Sequence, residues 1–192
     1  MTEITTLKTL PFRSAADFEK WLSTNHLHSS GIWLQLFKKG SNVESVSYLE
    51  AVHVALCYGW IDSQVKGIDE KSYVQKFTPR KSKSMWSKIN THRAEKLIAE
   101  GKMQPAGLKE IDAAMSDGRW EKAYHSPATM STPADLEKKL QTNRKANTFY
   151  QSLNKSSKYT IAFKIETAKK PETRSRRLES ILTMLENGER PT

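Results

Sequence analysis

The feature that most restricts the fold is a helix that cannot face water. Ser47 is followed three residues on by Glu50, a capping box that starts a helix. Within it Leu49, Ala51, Val52, Val54, Ala55, Leu56 and Cys57 are apolar nearly all round, so it must be deeply packed. Gly59 suits the left-handed position that ends such a helix. The rest of the chain has to be laid around it.

Before this helix, Ser14 with Asp17 predicts the start of another over residues 15–24, burying Phe18, Trp21 and Leu22 at helical spacing. Gly31 opens an almost wholly apolar strand, residues 32–37, whose composition predicts a central place in a sheet. After it, residues 60–65 and 72–77 read as a hairpin turning at Lys66-Gly67, with Pro79 as its stop. Ser84 is expected to cap a helix over residues 85–100, closed by Gly101. Pro105 starts the next, with Leu108, Ile111, Ala114 and Met115 on one stripe. Residues 125–133 are rich in Ser, Thr and Pro and mark a boundary. Beyond it the pattern is helical: Thr132 as cap and Pro133 at the first position, Leu136 and Leu140 facing inward. Then follow Ala146, Phe149, Tyr150 and Leu153, a helix over residues 159–168, and a last one from Pro171 carrying Leu178, Ile181, Leu182 and Leu185. The expected architecture is α+β. An N-terminal helix and strand domain with a small, mostly antiparallel sheet spans residues 1–126 and carries the pocket; an all-helical bundle spans residues 131–192.

Composition narrows the function classes. The net charge of +10, from 31 Lys and Arg against 21 Asp and Glu, favours anionic partners. No apolar run approaches the roughly 20 residues that span a bilayer. No basic segment followed by an apolar one marks a signal peptide, and a single Cys forms no internal disulfide, so the cytoplasm is the expected compartment. Phosphate-loop, dinucleotide and serine-hydrolase signatures are missing, and His26, His28, His92 and His125 lack zinc spacing. No cofactor and no metal are expected. Oligomeric state is not legible.

Several fragments form a recognisable series: Gly31-Ile32-Trp33-Leu34, the run from Ala55 through Gly59-Trp60-Ile61-Asp62, Phe77-Thr78-Pro79-Arg80-Lys81, and Trp86-Ser87-Lys88-Ile89-Asn90. Gly118-Arg119-Trp120, Ala168-Lys169-Lys170 and Glu172-Thr173-Arg174 with Arg176-Arg177 continue it. Across nearly the whole chain this series resembles the YdeI/OmpD-associated, or bacteriocin-protection, family of bacterial proteins. The resemblance implies a role in stress or antimicrobial-peptide resistance, without a catalytic set.

The densest polar and aromatic stretch, residues 57–90 and the helix beyond, supplies the candidate site. Arg80 and Lys81 with the hydroxyls of Ser84 and Ser87 at a helix start would cradle a phosphate or carboxylate. Trp60 and Trp86 would wall it. Asn90 and Arg93 fall on the apolar stripe of that helix, where they either bind ligand or, for Arg93, pair with Asp62 or Asp69. The expected ligand is an anionic small molecule or nucleotide. An enzyme reading makes Asp62 a general base, with Arg80 or Arg93 stabilising developing negative charge. His53 and Cys57, four apart on one helix, form the single nucleophile–base pair that can be drawn. A third reading is sequence-neutral nucleic-acid binding through Lys169, Lys170, Arg174, Arg176 and Arg177, although no specific nucleic-acid motif is present. The alternative for those arginines is to tie the bundle to acids of the first domain.

Overall fold

A computed structural model describes residues 7–190. The chain forms two compact units, Met1–Trp86 with Asn90–Lys122, and Ser87–Ile89 with Ala123–Thr192. The mixed architecture expected from the sequence is present, with the sheet in the first unit and helices alone in the second half of the chain.

The sheet contains β1 (Thr9–Pro11), β2 (Ile32–Phe37), β3 (Trp60–Gly67) and β4 (Ser72–Pro79), in the order β1-β2-β4-β3. β2 lies inside, parallel to β1 and antiparallel to β4, as its apolar content predicts. Ile32, Leu34 and Leu36 are buried and alternate with half-buried Trp33, Gln35 and Phe37. β1 carries no sequence signal. It is three residues long and ends in a proline that an edge strand tolerates. The hairpin is longer than expected because its turn lies past Lys66-Gly67. There the Asp69 carboxylate accepts from the amides of Lys71 at 2.8 Å and Ser72 at 2.6 Å.

Four helices complete this unit: α1 (Ala15–Asn25), α2 (Tyr48–Cys57), α3 (Lys88–Ala99, its first two residues grouped with the other unit) and α4 (Pro105–Ser116). The Ser14 hydroxyl accepts from the Asp17 amide, and both bonds of the Ser47–Glu50 capping box form. The Phe18 ring meets Phe77 edge-on at 5.7 Å, and Trp21 meets Trp60 at 5.8 Å, both measured between ring centres. These aromatic contacts join α1 to the sheet. α4 runs close under the end of α2, where Gly107 leaves no room for a side chain: a Cβ there would lie 2.4 Å from the Cys57 carbonyl oxygen.

Three local expectations give way to packing. α3 begins at Lys88. Ser84 instead closes a turn, its hydroxyl accepting from the Lys81 amide at 3.1 Å. Residues 85–87 stay outside the helix because Trp86 is drawn into the core and Ser87 forms a bridge with Tyr124. Ile89 is therefore exposed, and the buried stripe of α3 is Asn90, Ala94 and Leu97. On α4, Ile111 and Ala114 are buried while Leu108 and Met115 face solvent.

The second half of the chain holds α5 (Ala134–Thr142), α6 (Arg144–Ser152), α7 (Lys155–Glu166) and α8 (Pro171–Glu186). Leu136, Leu140, Ala146, Tyr150 and Leu153 pack with Ile161, Ile165, Leu178, Ile181 and Leu185 in one core. Thr132 does not cap α5; its hydroxyl bonds the Tyr150 phenol at 2.9 Å, and Pro133 takes the cap position. Asn143 and Asn154 cap α6 and α7, so that α7 starts at Lys155 and not at the expected Tyr159.

Candidate functional site

α1, α2 and α3 enclose a cleft of about 880 Å³ in the first unit. It exists because α2 has more apolar surface than the core takes up. Ala51, Val52, Ala55, Leu56 and Cys57 are buried, whereas Leu49 is 47% exposed. Leu49 and Val54 form an apolar wall of the cleft together with Leu97 of α3 and Ala15 of α1. Apolar surface left open in a concave place is the usual setting of a small-molecule site.

Charged groups rim this wall: Glu19 and Glu50 on one side, Arg93, Lys96, Glu100 and Lys102 on the other. Two of the acids are already engaged. Glu50 accepts from the Ser47 hydroxyl at 2.7 Å and its amide at 2.9 Å, bonds that hold its carboxyl below the usual range. Glu100 lies 2.8 Å from the Lys102 ammonium and 3.8 Å from that of Lys96, and the bond from Lys102 depresses its carboxyl likewise. Arg93 is different. Its Nη1 donates to the Asn90 Oδ1 at 3.0 Å, an uncharged partner, and among the described residues no carboxylate lies within ion-pair distance of it.

His53 and Cys57 also line the cleft, but not as a nucleophile and its base. Burial pushes the Cys57 thiol up to about 11, which keeps it protonated at neutral pH. Burial, and after it the charges of Arg93 and Lys96, hold the His53 imidazole below its ordinary value, so it is neutral there.

The nine residues expected to form one pocket are distributed over several places. Asn90 and Arg93 are joined by their hydrogen bond, and Arg93 lines the cleft. The Arg80 guanidinium lies 3.6 Å from the centre of the Trp86 ring, donates to the Met85 carbonyl at 3.4 Å and is 7% exposed. Trp86 packs in turn on Trp120 at 4.9 Å. Trp60 is fully buried and donates its indole N–H to the His26 carbonyl at 3.2 Å. Trp60 and Arg80 edge a second recess of about 390 Å³, shared with His26, Tyr58, Lys109 and Glu110. Asp62 accepts from the Tyr48 phenol at 2.8 Å, and no ion pair joins it or Asp69 to Arg93 among the described residues. The Tyr48 hydroxyl is raised by burial and then by that bond. Lys81 and Ser84 share an exposed turn, and Ser87 sits in its bridge, so these three and Arg80 do not converge on a helix start.

Sequence reasoning passed over Leu49, Lys96, Glu100 and Lys102. The available signal was the surplus of apolar faces on α2 and the spacing of Arg93, Lys96 and Leu97 along one side of α3, continued by Glu100 just past its end.

Of the C-terminal basic residues, Arg174 bonds the carboxylates of Asp135 and Glu166 and the Ile165 carbonyl, and Arg177 donates to the Lys164 carbonyl at 2.6 Å. These two tie helices of one bundle together, and the acids that Arg174 bonds belong to that bundle and not, as expected, to the first domain. Lys169, Lys170 and Arg176 are exposed. Among the described residues no cluster of His, Cys, Asp and Glu could hold a metal ion, and no helix is long and apolar enough to cross a membrane.

Two family models match the chain. Residues 10–110 match a domain of unknown function, DUF8412. Residues 129–188 match the model described as Bacteriocin-protection, YdeI or OmpD-Associated. The resemblance to that second family, read from the sequence over nearly the whole chain, is thus shown for the helical part. No curated protein and no solved structure matches the chain. With just over half of its length matched by the first model, the chain belongs to the DUF8412 family, and its helical segment is similar to the bacteriocin-protection, YdeI or OmpD-associated proteins.

Proposed function

We propose that this protein serves bacteriocin protection or a related stress response by binding a small carboxylate- or phosphate-bearing molecule in the α1–α2–α3 cleft. The name of the family matched by the helical segment supports the role. The observation that carries the ligand class is Arg93, a half-buried guanidinium on the cleft wall whose hydrogen-bond partner is a neutral amide.

A guanidinium presents five donors in a planar fork matched to carboxylate and phosphate oxygens. Asn90 takes one of those donors and holds the fork in place, which leaves others for a ligand. The neighbouring Lys96 adds positive charge at the rim, although Glu100 shares it. Leu49, Val54 and Leu97 offer the apolar contact that a ligand's body needs. A protonated Cys57 and a neutral His53 give the cleft no strong nucleophile, so the reading is of binding.

The test is a thermal-shift screen of the full chain against organic acids, nucleoside monophosphates and inorganic phosphate, repeated on Arg93→Gln. The expected result is a concentration-dependent rise in Tm with at least one anion that Arg93→Gln removes. No stabilisation by any anion, or stabilisation undiminished in Arg93→Gln, overturns the proposal.

A further inference from the structure

A recess of about 290 Å³ in the helical half of the chain has a simpler charge pattern than the cleft. It lies between the loop before α5 and one side of α6 and α7. The charged side chains lining it are Lys155 and Lys158; no carboxylate lines it. Among the described residues neither lysine is ion-paired with an acid. The Lys158 ammonium instead rests 5.2 Å from the centre of the Tyr150 ring and donates to the Gln151 backbone carbonyl at 3.3 Å and to its side-chain Oε1 at 3.5 Å. All three partners are neutral and offer partial negative charge, so no carboxylate balances this cation. Lys155 is the first residue of α7, where the positive end of the helix adds to its field.

The remaining walls are of two kinds. Tyr150, Tyr159, Met130 and Ala162 give flat or apolar contact, and Ser131 and Thr132 bring hydroxyls, that of Thr132 already bonded to Tyr150. A recess of this size has room for about ten waters at their liquid density. It therefore suits a body of one ring or one amino acid and is too small for a nucleotide.

We infer that this recess is a binding site for a small organic carboxylate, its acid group held by Lys155 and Lys158 and its body laid against Met130 and the tyrosines. It is independent of the cleft around Arg93, with which it shares no residue. An anion in one small concavity with two cations is attracted by both, and so gains more than it would from either alone.

The experiment is a titration of the ¹⁵N-labelled full chain with sodium benzoate at constant ionic strength, with sodium chloride and inorganic phosphate as parallel arms. The expected result is saturable shifts of the Thr132, Lys155 and Lys158 amides with benzoate, weakened at least ten-fold in K155Q/K158Q and retained in K158R. Arg93→Gln leaves this titration unchanged, which separates the recess from the cleft. Shifts that grow linearly as with chloride, or an affinity unaltered in K155Q/K158Q, overturn the inference. Tighter binding of phosphate than of benzoate also overturns it, since a bare anion needs none of the apolar wall.

Discussion

Arg174 of α8 holds Asp135 of α5 through two parallel hydrogen bonds, Nε to Oδ2 at 2.7 Å and Nη2 to Oδ1 at 3.0 Å. The same guanidinium donates to the Ile165 carbonyl at the end of α7 at 3.1 Å. One side chain therefore fastens three of the four helices of the bundle.

Arg174→Ala is expected to destabilise the protein by about 1–2 kcal/mol, the range for a charge-assisted hydrogen bond weakened by solvent screening. Screening matters because both partners are about a third exposed. Urea denaturation measures the loss; a change under ~0.5 kcal/mol would mean the fork is ornamental. Asp135 also carries a pH signature. The bond from Arg174 depresses its carboxyl below the unfolded value of about 4. Its contribution is thus complete above that value and disappears as pH falls through the lower, folded-state pKa. Asp135→Asn should flatten that part of the acid limb.

Gly107→Ala runs against helix propensity. In the middle of an exposed helix this change stabilises by about 1 kcal/mol. Here the new Cβ would stand 2.4 Å from the Cys57 carbonyl oxygen and 2.7 Å from that of Leu56. Backbone does not move aside as a flexible side chain does, so overpacking should win and cost about 1–3 kcal/mol. A raised Tm in the variant would show that α2 and α4 separate easily.

Cys57 should react slowly. Its thiol is pushed up to about 11 and its side chain is 5% exposed besides. The thiolate is then on the order of one part in 10³ at pH 8. Iodoacetamide labelling followed by mass spectrometry is expected to be far slower than for a free cysteine, to accelerate in urea, and to ignore His53→Gln. Fast labelling of the native chain that depends on His53 would restore the nucleophile–base pair drawn from the sequence.

His53 should titrate below the ordinary histidine value of about 6.5. Burial is the larger cause and Arg93 the next, so Arg93→Gln should raise the midpoint part of the way back, read from imidazole resonances. The folded state binds this proton less readily than the unfolded one. Stability should accordingly fall as pH drops below about 6.5, and level off once the folded-state pKa is passed.

Elements whose signals are local were legible. The Ser14 and Ser47 caps, the apolar β2, the Pro105 and Pro171 starts and the leucine stripe of α8 each depend on residues within a few positions of one another. The start of α3 was not, because Ser84 is as good a cap as Ser47 until Trp86 must reach Arg80 and Trp120. β1 was not either, since three residues ending in proline become a strand only by pairing with β2, Thr9 beside Trp33, far along the chain.

For the candidate site the division is sharper. By itself the sequence determined which residues have chemistry to offer: a guanidinium and an amide three apart on one helix, a helix too apolar to be solvated, and a basic balance. The tertiary structure decided which of them meet. It drew Arg80, Trp60 and Trp86 into packing, where cation–π contact and burial hold them, and left Leu49 and Arg93 open to a common cleft. That choice is a competition for a limited interior. Aromatic rings that can be buried against several partners win it, and a helix with more apolar faces than neighbours keeps one of them bare.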